Sequence, residues 1–234
     1  MNEILENLRR VRQRIDRAAL SCGRQPEEVK IIAVSKTFPV RAVESAAAAG
    51  LLTFGENRVQ EAAEKIPQVA SSQTLEWHLI GHLQSNKARK AAALFDWVHS
   101  VDSVKLMSRL DEGACEAGKV LSVLLQVDLA GEVTKSGAGV EELRLMLAAA
   151  ASMRHLSVRG LMIIPPYLPN PEQVRPYFRQ LRDLRDRLAA EGLPGVDLTE
   201  LSMGMSHDFE VAIMEGATMI RVGTAIFGTR GPAE

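Results

Sequence analysis

Eight short apolar runs, separated by longer segments of helical periodicity, set the narrowest limit on what this chain folds into. The runs fall at residues 31–35, 53–55, 76–80, 97–100, 120–128, 157–163, 197–201 and 219–222. Runs of this length, bounded by turn residues, read as strands. The segments at 41–49, 58–66, 87–94, 103–117, 140–153, 171–191 and 207–215 carry a 3.6-residue period and read as helices. Strands alternating with helices predict a parallel sheet. Eight such units in 234 residues predict an α/β chain folded as a closed (β/α)8 TIM barrel. An open doubly wound sheet is the alternative, although no GxGxxG follows the first run. A further helix over residues 3–22 precedes the first strand, with Ile4, Leu8, Val11, Ile15 and Ala19 on one stripe.

Pro165, Pro166, Pro169 and Pro171 crowd one loop, but helix resumes directly after them. The expectation is one domain over residues 1–234. A formal net charge of −1 offers no general attraction to nucleic acid or to anionic membranes. Cys22 and Cys115 form no CxxC pair, and the acidic start of the chain lacks a signal-peptide pattern. With no run near the roughly 20 apolar residues that span a bilayer, a cytoplasmic protein is expected.

In such a barrel the functional groups sit at the C-terminal ends of the strands. Lys36 stands there, where the first apolar run gives way to a turn. Lysine is rarely buried, so this one is either a tethered surface charge or a working amine. The last two strands lead into Ser202-Met203-Gly204-Met205-Ser206 and Arg221-Val222-Gly223-Thr224, which pair small residues with hydroxyls. Free backbone N–H groups at a helix start bind anions, and barrels often hold phosphate at these two loops. Ser206 as a plain helix N-cap is the competing reading. Closure would put strand eight about 4.8 Å from strand one, and so Lys36 beside the Gly223–Thr224 cup. A ligand with an aldehyde at one end and a phosphate at the other would bridge them, and pyridoxal 5′-phosphate (PLP) is such a ligand.

Four motifs carry a resemblance. They are Val34-Ser35-Lys36-Thr37, Phe54-Gly55-Glu56-Asn57-Arg58-Val59-Gln60, Trp77-His78-Leu79-Ile80-Gly81-His82-Leu83-Gln84-Ser85-Asn86-Lys87, and Leu201 to Ser206 continued through Gly228. Together they resemble the pyridoxal phosphate homeostasis protein family, whose barrel is like the N-terminal domain of alanine racemase. The resemblance implies PLP held by Lys36 as an internal aldimine. It implies phosphate contacts from Ser202, Met203, Gly204, Ser206, Gly223 and Thr224. It also implies that Arg221 faces the pyridine nitrogen, keeping it unprotonated and a weaker electron sink, and that Asn57 lies near the ring. The racemase takes a second base, a tyrosine, from a further domain of its partner subunit. Nothing up to Glu234 supplies one, and neither Tyr167 nor Tyr177 is marked as a base. The expected role is therefore cofactor binding and delivery in vitamin B6 homeostasis, with PLP-dependent apoenzymes as partners, by a monomer and without robust catalysis. A PLP-dependent amino-acid racemase, a Schiff-base aldolase and a cofactor-sensing regulator are the rival readings.

Other constellations are weaker. His78 and His82 flank a strand end, so hydrogen bonding at the barrel mouth is expected of them rather than metal binding. The cations of residues 84–90 read as a solvated face. So do Arg175, Arg179, Arg182, Arg185 and Arg187 with Asp183 and Asp186. Lys135 lies in a loop after the fifth strand and reads first as an exposed lysine; the sharper alternative is a loop that closes the mouth or handles the aldehyde in transit.

Overall fold

The structure is a computed structural model that describes residues 3–70, 72–129, 137–193 and 196–229. Eight strands, β1 (Lys30–Val34), β2 (Thr53–Glu56), β3 (Glu76–Leu79), β4 (Trp97–Val101), β5 (Leu121–Gln126), β6 (Leu156–Met162), β7 (Val196–Met205) and β8 (Met219–Val222), form a closed barrel in sequence order. All pairings are parallel. β8 closes on β1 from Lys30↔Met219 to Ala33↔Val222. The helices are α1 (Glu3–Ser21), α2 (Val40–Ala48), α3 (Val59–Lys65), α4 (Ala88–Leu94), α5 (Val104–Glu116), α6 (Val140–Ala150), α7 (Arg175–Ala190), α8 (Phe209–Met214) and α9 (Thr224–Phe227). Among the described residues no helix is long and apolar enough to cross a membrane.

The period of two along each strand divides the apolar residues into two cores. Ile32, Val34, Ile80, Leu124, Met162 and Met219 fill the barrel interior. The larger core lies between strands and helices and includes the fully buried Phe54, Phe95, Phe178 and Phe209. Each side chain of that size contributes roughly 1.5–3 kcal/mol on burial. The same alternation puts Lys36 on the inner face of β1, two residues beyond Val34 and above it.

The first helix braces the region that follows β7 and β8. Its buried stripe is Leu8, Val11, Ile15, Ala18 and Ala19. Arg14 forks onto Glu210 at 2.6 and 2.8 Å and lies 4.3 Å above the Phe209 ring. Asn7 donates to the Ile226 carbonyl in α9.

Two expectations change here. The segment from Ser202 to Met205 is strand, not loop. It pairs with β6 and β8, and the register shifts between Ser202 and Met205. Gly204 takes φ +91 within that shift, where an added Cβ would meet Ala212 at 2.6 Å. A glycine in such a position allows a bulge that keeps the strand running. The arginines of α7 are also more than a solvated face. Arg175, Arg179 and Arg182 converge on Glu215, a residue only 3% exposed at the end of α8. Arg182 and Arg185 also meet Asp183 and Asp186, as the alternation predicts.

Candidate functional site

A cavity of about 320 Å³ opens at the C-terminal end of the barrel. Lys36, Asn57, Ser206, Arg221, Gly223 and Thr224 line it. Six residues expected from the sequence, at or just beyond the ends of β1, β2, β7 and β8, therefore meet around one cavity. Closure does this. Ala33 pairs with Val222, and a Cβ on Gly223 would lie 3.4 Å from Val34.

The turn that carries Lys36 is built rather than loose. Thr37 holds φ 66, a left-handed conformation that β-branched residues seldom adopt. Its N–H donates to Glu61 at 2.5 Å. Lys65 gathers this corner, donating to the Ser35 carbonyl, to Glu56 and to Glu61 at 2.7–2.8 Å. Phe38 stacks on Phe227 of α9 at 5.0 Å and ties the Lys36 turn to the end of β8. Asn57 is placed by Gly81, where any Cβ would fall 2.3 Å from the Asn57 carbonyl oxygen. Only glycine lets the two main chains approach so closely.

On the other side, Ser206 Oγ accepts the N–H groups of Gly223 at 3.2 Å and Ala225 at 3.4 Å. Ser206 does not cap α8, whose N-cap position is Asp208; it caps the amides that open α9. An oxygen already sits where these amides converge, as an anion's oxygen would. The four-residue α9 has little macrodipole; its Ala225 N–H goes to Ser206, and its Ile226 and Phe227 N–H groups go to the Gly223 carbonyl.

Arg221 is 4% exposed. It donates to the Ser202 carbonyl, to Ser202 Oγ at 2.6 Å and to the Ile163 carbonyl at 2.8 Å. Burial lowers its pKa to about 10, which leaves it a cation at neutral pH. Burial likewise raises the Asp208 carboxyl, with Arg221 among the groups opposing the shift.

Three expected residues do not reach the cavity wall. Ser202 is fully buried against Arg221, Met203 packs in the outer core, and Gly204 forms the bulge. The reason is the extension of β7, which delays the loop to Ser206. The two histidines also separate. His82 is half exposed with Asp102 3.8 Å away, whereas His78 lies fully inside the barrel, away from the mouth. His99, which no motif marked, is buried beside it. Alternation on β4 was the signal that could have found it. Lys135 lies outside the described residues. At the rim, Tyr167 and His207 tilt together with ring centres 5.1 Å apart.

Against known proteins, residues 2–231 match the family model described as alanine racemase, N-terminal domain. The pyridoxal phosphate homeostasis protein of Aquifex aeolicus is 44% identical over 225 residues, covering 96% of this chain and 97% of that one. The protein of the same name from Escherichia coli K12 is 44% identical over 232 residues, covering 98% of each. Among solved structures, PipY of Synechococcus elongatus PCC7942, with PLP bound, superposes with a TM-score of 0.85 at 43% identity. That match covers 96% of this chain and 100% of PipY.

Proposed function

The chain belongs to the alanine racemase N-terminal-domain family, and from that premise we propose that it binds pyridoxal 5′-phosphate through Lys36 and holds it in reserve for other proteins. The observation that carries this reading is the convergence of an amine, a buried cation and an amide-and-hydroxyl cup on one cavity. That donor set fits the cofactor part by part, and about 320 Å³ lies within the range of small-molecule sites. The relatives named for pyridoxal phosphate homeostasis, and the PLP-bound PipY, support the same ligand.

When bound, the cofactor supplies an aldehyde that condenses reversibly with a primary amine, releasing water. The residues of the chain do the rest. Lys36 presents its amine from a turn fixed by Thr37, Glu61 and Phe38. Ser206, Gly223 and Thr224 offer donors to the phosphate. Arg221, held from behind by three hydrogen bonds, would keep a positive charge beside the ring nitrogen and so disfavour its protonation. Asn57 lines the same cavity and would border the ring.

This is a binding and supply protein rather than an enzyme. Its relatives carry the name of a homeostatic role, not of a reaction. Racemisation would need a second proton donor across the cavity. Tyr167 lies at the rim, 74% exposed, and no partner among the described residues marks it as that donor. We further propose that the protein works as a monomer in the cytoplasm and passes the cofactor to PLP-dependent apoenzymes.

Mixing the purified protein with PLP should give the visible absorption of a lysine-bound cofactor. Borohydride should then fix the cofactor to Lys36. Lys36→Ala should take up no covalent label. A parent protein that stays colourless would overturn the reading, and turnover of amino-acid enantiomers faster than free PLP supports would overturn the non-enzymatic role.

A further inference from the structure

Behind Arg221 a line of buried polar side chains crosses the barrel interior to its opposite face. Ser202 Oγ lies 2.6 Å from the guanidinium and 2.9 Å from His99 Nδ1. His99 Nε2 lies 2.7 Å from His78 Nδ1. His78 Nε2 lies 2.5 Å from Glu76 Oε1. Glu76 opens β3 at the N-terminal end of the barrel, where it also pairs with Lys30 at 3.1 Å. Ser202, His99 and His78 are all 0% exposed. Four strands, β3, β4, β7 and β8, contribute one member each besides Glu76, and Trp97 stacks on His78 at 5.4 Å to seal the line.

The donor directions follow from the two ends. A carboxylate only accepts and a guanidinium only donates. The Glu76 carboxyl is held down to about 2, chiefly by the His78 hydrogen bond, so it stays ionised. Burial pushes both imidazoles below the usual histidine range, so both stay neutral at pH 7. His78 must then donate from Nε2 to Glu76 and accept at Nδ1 from His99. His99 must accept at Nδ1 from the Ser202 hydroxyl, which in turn accepts from Arg221. Every bond points the same way, from the cation to the anion, and chains aligned in this sense polarise one another.

We propose that Ser202, His99, His78 and Glu76 are positioning residues for Arg221, forming a one-way hydrogen-bond line that orients its guanidinium and holds its charge at the cofactor ring. This rests on the reading that PLP occupies the cavity. Three of the five guanidinium donors face protein acceptors. Arg221 also lines the cavity, so these bonds hold the fork from behind at the border of the site. The line also explains why two histidines stand beside the apolar interior cluster of Ile32, Val34, Ile80, Leu124, Met162 and Met219. It gives a role to Ser202, which is buried and does not line the cavity.

The test compares parent, Ser202→Ala and Glu76→Gln proteins, each loaded with PLP. Visible absorption across pH and the rate of cofactor release to an excess of a scavenging amine are the readouts. Ser202→Ala cuts the line beside Arg221 and should speed release about tenfold, equivalent to ~1.4 kcal/mol. It should also shift the pH profile of the bound chromophore. Glu76→Gln removes the charge at the far end and should move both readouts in the same direction, by about threefold in rate. Should Ser202→Ala fail to fold, the half-exposed Glu76 site decides alone. If the parent is labelled at Lys36 and neither folded variant differs from it, the line is structural only and the proposal is overturned. If the parent itself is never labelled at Lys36, the cofactor reading falls and the purpose of the line falls with it. A purely structural role would lower thermal stability without moving the absorption profile.

Discussion

At the scale of single residues, the corner under Lys36 is held by one buried lysine. Lys65 has only 8% of its side chain exposed, and its partner Glu56 has none. Burial raises the Glu56 carboxyl, while the hydrogen bond and charge of Lys65 oppose the rise. Removing one member of such a pair leaves an uncompensated charge. Lys65→Met should therefore cost about 3–5 kcal/mol in urea denaturation at pH 7. Adding Glu56→Gln should recover much of that loss. The pH sign follows from linkage. Without Lys65 the folded carboxyl sits still further above its unfolded value, so the folded state binds the extra proton. The penalty should then shrink as pH falls toward the unfolded value of 4.5 and grow above it. A penalty independent of pH would remove Glu56 as its cause. None of this was legible in the sequence, where Lys65 and Glu56 look like ordinary surface charges nine residues apart.

Between elements, the outer helices are joined by charge as well as by apolar packing. Glu215 directly follows α8, and three arginines of α7 close on it. Only the far partner separates this cluster from a solvated ion-pair face. The i, i+1 and i, i+3 neighbours were visible in the sequence, whereas Glu215 lies 33 or more residues away. The two kinds of pair should behave differently. Glu215→Ala strips three guanidinium groups of a buried carboxylate and should cost about 2–3 kcal/mol in denaturation. Arg179→Ala removes an exposed member, whose neighbours remain, and should cost about 0.5 kcal/mol or less. Equal losses would mean that the cluster does not centre on Glu215. Element type was readable from periodicity throughout, and β8 at 219–222 was placed without error. β7 was cut short because Ser-Met-Gly-Met reads as loop. Its bulge depends on Gly204 meeting Phe209 and Ala212, contacts made only after α8 has packed.

For the molecule as a whole, closure is what makes a site. The cavity draws on both ends of the sheet, since Lys36 follows β1 and Arg221 to Thr224 end and follow β8. A ligand bound across that seam stabilises the closed barrel against the unfolded chain. At one hundred times its dissociation constant, PLP should add about 2.7 kcal/mol. For a chain of this size that corresponds to a rise in Tm of roughly 5–10 °C by calorimetry. Lys36→Ala should lose most of the rise while leaving the Tm of the free protein nearly unchanged. A rise of the same size in both would place the binding energy elsewhere. By itself the sequence determined the alternation of strands and helices, and through it the barrel and the end at which chemistry gathers. It also put Lys36, Arg221 and Gly223–Thr224 at the strand ends that line the cavity, because local periodicity and motif spacing are properties of neighbouring residues. Only the tertiary structure decided that Ser202 turns inward to Arg221 and that His78 and His99 join it to Glu76. It alone joined Lys65 to the floor of the lysine turn. Those contacts link side chains up to 103 residues apart, and they exist only when eight inward-facing rows are brought into one interior.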